Sequence, residues 1–364
     1  MQSLSSNKSD LLNLIRWLAA LAVVIGHADM YLGQFGGGDP SLRPAFGYFG
    51  VHAHAAVIVF FVLSGYVVAY ATDRKSSLGN YDFRGYFLDR WSRIYSVLIA
   101  AICFTLVLDY VGGIFSPAYQ NPALIPQDNF VFRLAANLFS IQGIWGYRIQ
   151  LGSNPALWSV GYEFIYYILF GLLYFRAQIF RRSWVGVLVV LLLLGLIGWK
   201  MAAYFVIWLM GVAAYHASHS QMIYRHPING WLLIAALVVA NHLLVYSNIL
   251  GASEVLRDFV FAVVMAVLFS LEVKQTAPFF LLIRQFNTYM ADFSYSIYAF
   301  HTPVIFFGCS LLFVPWLRTP PSLFSGLILV TTSILVARGF FHLAESRRTT
   351  FRRIADRFMR RIGI

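Results

Sequence analysis

The sequence predicts an all-α polytopic membrane protein with about ten transmembrane helices around a central cavity. Three observations predict it. Hydrophobic residues make up 59% of the 364-residue chain and charged residues only 12%, about half the ~25% charge of a globular protein. The apolar residues gather into runs of about 17–25, the length a bilayer core demands of a helix. Ionisable residues still recur inside those runs, where they are costly unless they face a bundle interior or a water-filled space.

The first span, residues 11–31, carries Arg16 and His27. Eleven residues bring a helix back to nearly the same face after about three turns and 16 Å of rise. That face is read as lining a path across the membrane, completed by the other helices. The second span, 51–71, contains Phe60-Phe61-Val62-Leu63-Ser64-Gly65-Tyr66. Gly65 lets a neighbouring helix approach, and Ser64 can hydrogen-bond across the contact. His52 and His54, near the outer end of this span, are read as rim residues. The third span, 91–111, starts from Leu88-Asp89-Arg90-Trp91-Ser92-Arg93-Ile94-Tyr95. Arg90 and Arg93, three apart, share a helix face. Their planar forks suit phosphate, and topology anchoring accounts for such a pair equally well. Residues 132–147 are half apolar and short, so they are read as a surface or re-entrant helix.

The fourth span, 157–175, begins Leu157-Trp158-Ser159-Val160-Gly161-Tyr162-Glu163. Glu163 lies about two turns in, near the depth expected for His27. A carboxylate there would orient an imidazole, or form a structural ion pair. Spans at 184–199 and 201–215 meet around Lys200, as a tight external turn or one interrupted span. Spans at 231–247 and 258–271 follow. The ninth, 289–313, contains His301-Thr302-Pro303. Pro303 should kink the helix and free carbonyls, and His301 is a second histidine for cavity chemistry or for packing. The tenth, 322–344, ends at Glu345 among arginines, which favours a structural ion pair.

Charge tests the topology. An even number of spans puts both termini on one side. Arg43, Arg133, Arg148, Lys200, Arg257 and Arg318 then fall in loops on the other, and Arg16 and Arg338 fall within spans. All the remaining basic residues share the side of the termini, including Arg347, Arg348, Arg352, Arg353, Arg357, Arg360 and Arg361. The positive-inside rule makes that side the cytoplasm. The net charge of +12 is thus explained by topology and by anionic lipid rather than by nucleic acid. Residues 1–345 read as one ten-helix transmembrane domain and 346–364 as a basic cytoplasmic tail. No cleavable signal is apparent. Cys103 and Cys309 lie in different apolar runs and read as buried thiols. Zinc-ligand spacing, a Gly-rich phosphate loop and a Gly-x-Ser-x-Gly elbow are absent, so no metal is expected.

These residues resemble the acyltransferase-3 family of integral-membrane O-acyltransferases, of the stand-alone, exopolysaccharide-acetylating type. Arg16 to His27 is similar to the family's Arg-(ten residues)-His motif, and Arg90 with Arg93 to its Arg-x-x-Arg motif. The Phe-Phe-x-Leu-Ser-Gly run ending at Gly65, the stretch from Trp158-Ser159 to Glu163, and Ser294 to Pro303 also resemble family signatures. Two positions depart from the pattern. Ser96 stands where proline often follows Arg-Ile-Tyr, and Glu345-Ser346-Arg347 replaces Glu-x-Pro.

The resemblance implies a multi-pass enzyme of the bacterial inner (cytoplasmic) membrane. It would move an acyl group, usually acetyl, from cytoplasmic acetyl-CoA to a hydroxyl of an extracytoplasmic or lipid-linked carbohydrate such as exopolysaccharide or O-antigen. Arg16, Arg90 and Arg93 would hold the coenzyme phosphates. His27 would act as general base or carry the acyl group, with Glu163 orienting it. Ser64, Trp158, Ser159 and His301 would line the cavity. The oligomeric state is left open. Two rival readings remain at this level. Ionisable residues at mid-membrane also mark transport paths, although no inverted repeat is evident, and the charged groups could belong to a scaffold in a polysaccharide assembly.

Overall fold

The computed structural model describes residues 4–36, 47–219, 228–246, 253–274, 278–312 and 322–361. Fourteen α-helices occupy them: α1 (Ser6–Gly36), α2 (Tyr48–Ser77), α3 (Phe83–Phe115), α4 (Phe130–Leu138), α5 (Leu157–Tyr174), α6 (Arg176–Ile179), α7 (Ser183–Ile197), α8 (Trp199–Ser218), α9 (Gly230–Tyr246), α10 (Glu254–Ser270), α11 (Pro278–Asp292), α12 (Ser294–Leu312), α13 (Leu323–Leu343) and α14 (Arg348–Arg361). Among the described residues there is no strand, only isolated bridges. Seven helical stretches have the length and apolarity to cross a membrane, and shorter apolar helices lie at Ser183–Ile197 and Gly230–Val245. The chain is a multi-pass, all-α membrane protein. Each predicted span holds a helix. Arg43 and Arg318 of the topology count, and residues 247 and 313 at two predicted span ends, lie outside the described residues.

Local chemistry sets several ends. Asp82 caps α3 by accepting the amide of Gly85 at 2.8 Å. Ser322 and Ser325 form a reciprocal capping box at the start of α13, which satisfies donors the first turn leaves open. α7 carries Trp184, Leu188, Leu191, Leu192 and Leu196 exposed. Their spacing of three and four gathers them on one face, the dress of a helix against lipid.

The structure departs from the expected elements in four places. The predicted span 289–313 is divided at Phe293, with α11 before it. α11 mixes Arg284, Gln285, Asn287 and Thr288 into its turns, so hydrophobicity alone does not reveal it. The segment expected at 132–147 is a helix only to Leu138. Ser140 and Trp145 then adopt positive φ, and a short 3-10 turn spans Ile144–Gly146. α7 and α8 part at Gly198, two residues before Lys200. Cys103 is exposed rather than buried.

The chain divides into two compact units. The first comprises Met1–Val23, Val51–Asn80 and Ala203–Ser294. Within it, the Lys8 ammonium donates to the carbonyls of Phe269 and Leu271 at 2.7 and 2.8 Å, a cation on the carbonyl end of α10. Arg284 pairs with Asp10 at 2.8 Å. Asn287 donates to the Asp10 carbonyl and accepts from the Trp17 indole. α2 and α8 meet backbone to backbone. A Cβ on Gly65 would lie 2.1 Å from the Trp208 carbonyl oxygen, and one on Gly211 would lie 1.9 Å from that of Val62.

The second unit comprises Val24–Gly50, Tyr81–Ala202 and Tyr295–Ile364. α3 is its longest helix. Near the start of α3, helix α14 docks through Arg352 to Asp89 at 2.7 Å and Asp356 to Arg84 at 3.0 Å. The basic stretch after Glu345 is therefore a helix with an ion-paired face. The second unit's core includes the fully buried rings of Tyr86, Tyr166, Phe300 and Phe306.

Gly65→Ala tests the α2–α8 contact. Its methyl has no room beside a backbone carbonyl, so the variant should lose about 1–3 kcal/mol and melt lower in detergent. Gly339→Ala, which meets nothing within 4 Å, should melt no lower than the parent chain.

Candidate active site

Two imidazoles form the centre of the second unit. Nδ1 of His301 faces the Tyr298 carbonyl oxygen at 2.7 Å, and Nε2 of His301 faces Nδ1 of His27 at 3.1 Å. A carbonyl only accepts, so Nδ1 of His301 carries its proton. With both rings neutral, Nε2 of His301 is then the acceptor, and Nδ1 of His27 is the donor. In that tautomer Nε2 of His27 carries no hydrogen and is the ring's acceptor. His301 is fully buried, while His27 is half-buried and lines a cavity. The pairing fixes the orientation and tautomer of both rings.

Neighbouring groups fix that dyad. Tyr298 and Ser159 share a 2.6 Å hydrogen bond between their hydroxyls. Thr302 donates to Oδ1 of Asn154 at 2.6 Å, and Nδ2 of Asn154 donates to the Thr105 hydroxyl and the Ala299 carbonyl. Asn154 therefore ties α12 to α3 beside His301. It is delivered by a turn closed between Leu151 and Asn154. The Asp109 carboxylate clamps this turn, accepting from the Ser153 amide at 3.0 Å and its hydroxyl at 2.5 Å. Gly152 sits there with φ +52°, and a Cβ would collide with Asp109. Only glycine fits both constraints.

A polar cluster lies lower in the unit. Glu163 accepts the Tyr167 hydroxyl at 2.5 Å. Arg93 is within electrostatic reach of Glu163, Glu345, Tyr167 and Tyr295. Glu345 accepts from the amide and hydroxyl of Ser296. Arg90 is 8% exposed, its guanidinium against the rings of Tyr86 and Tyr167, and its Nε has no hydrogen-bond partner among the described residues. Arg93 and Thr105 are twelve residues apart on α3, about 18 Å of rise. The arginine cluster and the histidine dyad thus stand at different heights along one helix.

The cavity beside His27 has a volume of about 260 Å³. Gln142, Arg148, Asn154 and Trp158 are on its wall. Of the residues singled out from sequence, the second unit brings together His27, His301, Ser159 and Trp158, and gathers Arg90, Arg93 and Glu163 below. Arg16 and Ser64 belong to the first unit, although α1 runs unbroken through Arg16 and His27. The rim histidines also fall in the first unit. His54 donates to Asp258 at 2.8 Å, which also accepts from Tyr204, and His52 accepts from Asn241. Among the described residues no group of three or more His, Cys, Asp or Glu is placed to hold a metal ion. Gln142, Asn154 and Tyr298 escaped the sequence reading as individual residues. The Asn154-Pro155 pair was a turn signal for one of them.

Comparison with known proteins gives the following. A family model described as an acyltransferase domain, acyltransferase-3, matches residues 10–339. An O-acetyl transferase of Shigella phage Sf6 is 27% identical over 197 residues, 53% of this chain and 54% of the phage protein. Acyltransferase MdmB of Streptomyces mycarofaciens is 30% identical over 174 residues, 47% of this chain and 41% of its own. Protein 2 in picA locus, from Rhizobium radiobacter, is 33% identical over 132 residues, 35% of this chain and 61% of its own. The chain spans about half the length of the curated relatives it matches. No solved structure matches.

Asn154→Leu tests the tie beside His301. It keeps the bulk but strands the buried hydroxyl of Thr302 and the Ala299 carbonyl. Each unsatisfied group costs about 1–3 kcal/mol, so the purified variant should show a clearly lowered melting temperature. An unchanged melt would refute the tie.

Proposed function

From the premise that this chain belongs to the acyltransferase-3 family, we propose that it is a membrane O-acyltransferase. It moves an acetyl group from acetyl-CoA to a hydroxyl of a carbohydrate. The observation that carries this reading is the His27–His301 hydrogen bond, which orients the ring of a histidine on the cavity wall. The bacterial inner membrane, cytoplasmic termini and an extracytoplasmic or lipid-linked acceptor complete the proposal. They rest on the distribution of basic residues and on the family.

In the transfer, Nε2 of His27 takes the proton of the acceptor hydroxyl as its oxygen bonds to the thioester carbonyl carbon. The imidazolium then returns that proton to the sulfur as the carbon–sulfur bond breaks, leaving an ester and a free thiol. Proton transfer by a positioned imidazole contributes typically 10²–10⁴-fold. His301 holds the tautomer that makes this possible. The sequence reading gave Glu163 that orienting role; here we assign Glu163 the support of Arg93 and Tyr167.

The donor's anionic part fits the arginine cluster on one observation, the buried Nε of Arg90 without a partner among the described residues. A charged donor left unsatisfied is costly, and a phosphate oxygen would satisfy it. Arg93 stands beside it, with part of its charge offset by Glu163 and Glu345. Arg16 takes the same role from the family motif alone. Ser64 is assigned to the cavity lining on the same basis, whereas Trp158 is on the wall of the cavity beside His27.

Three experiments test this. His27→Ala should abolish transfer in purified protein, and near-normal rates would remove its central role. His301→Ala should lower kcat by about 10²-fold or more with little change in the acetyl-CoA KM. His301→Gln, whose amide oxygen can accept from Nδ1 of His27, should recover part of that loss. Separately, Arg93→Ala should raise the acetyl-CoA KM. An unchanged KM with a lowered melting temperature would reduce Arg93 to an internal ion partner.

A further inference from the structure

We propose that the cavity beside His27 takes one unit of an anionic carbohydrate, with Gln142 receiving a hydroxyl and Arg148 pairing with the anionic substituent. This deepens the acyl-transfer reading and rests on it. Gln142 is 1% exposed and lies on the cavity wall. Its Nε2 donates to the Leu157 carbonyl at 2.6 Å. That carbonyl can only accept, so the amide cannot be flipped. Its Oε1 therefore points elsewhere, buried and without a partner among the described residues. Buried acceptors are rarely left so. An acceptor-only oxygen calls for an O–H or N–H donor, and the wall already supplies a polar setting for one.

The rest of the lining narrows the class. Side-chain amides come from Gln34, Asn137, Gln150 and Asn154 as well as Gln142, beside the Trp158 indole. The NH2 groups of Asn137, Gln142, Gln150 and Asn154 are spent on protein acceptors, so the amide oxygens of Asn137, Gln142 and Gln150 are what the wall offers to hydroxyls, and with an aromatic to meet an apolar face they suit a sugar ring. The volume of about 260 Å³ falls just below the 300–1,000 Å³ of drug-sized sites, which suits one ring rather than several. No Asp or Glu is among these lining residues, and Arg148 is. Arg133, fifteen residues earlier, is neutralised by Asp128 at 2.7 Å. Arg148 is exposed and has no ion pair among the described residues. A guanidinium without a counter-charge, on a wall without carboxylates, selects an anion. A sugar carboxylate and a sugar phosphate both present that chemistry.

The test uses the full chain purified in detergent, with acetyl-CoA and matched acceptors. These are methyl glycosides of glucuronic, galacturonic and mannuronic acids, the hexose 6-phosphates, and the corresponding neutral hexosides. Transfer is read by mass spectrometry and donor turnover by thiol release. At least one anionic acceptor should exceed its neutral counterpart tenfold or more in kcat/KM, and the favoured arm tells carboxylate from phosphate. Arg148→Gln, an exposed substitution, should erase that preference by raising the acceptor KM alone. Gln142→Met should raise the acceptor KM for every sugar. Equal use of neutral and anionic sugars, exclusive use of neutral ones, or a preference that survives Arg148→Gln would overturn the proposal. Thiol release with non-carbohydrate hydroxyls only would overturn it while sparing acyl transfer. No acceptor-dependent thiol release of any kind would instead defeat the acyl-transfer reading itself.

Discussion

A single carbonyl oxygen, that of Tyr298, sets the tautomer of the paired imidazoles in the second unit. Because it can only accept, it decides which nitrogen of His301 carries hydrogen. That choice passes through a 3.1 Å contact to His27 and fixes which of its nitrogens carries hydrogen. The backbone of α12 thus sets the protonation pattern of a residue on α1. Moving either helix by a fraction of an ångström would cost hydrogen-bond geometry, so the surrounding contacts are arranged against that movement.

Those contacts come from a connection rather than from a membrane helix. The turn that ends at Asn154 reaches back into the unit and ties Thr302, Thr105 and Ala299 together. Asp109 holds the turn in place. The unit therefore divides the labour, with helices carrying the paired imidazoles and a connecting segment bracing the helices that hold them.

The helices were legible because an apolar run of membrane length would be costly to expose to water and finds its natural solvent in lipid. His27 and His301 stood out for the converse reason, as ionisable groups where lipid would reject them. Their bond to one another was not legible, since 274 residues separate them and spacing rules act only along one helix. Gln142 and Asn154 were hidden differently. Amides are unremarkable in a connection, and only their burial marks them. α11 escaped because its polar turns carry no membrane signal. The helix after Glu345 escaped because topology alone accounts for its many arginines. Gly65 was read for close approach, and the backbone contact with Trp208 is the kind of neighbour that reading requires.

Helix α3 is held at both ends, by ion pairs to α14 near its start and by Asp109 against the turn near its finish. A rod pinned twice cannot slide along its own axis. The interval between the arginine level and the imidazole level is consequently set by the rise of this one helix, about 18 Å.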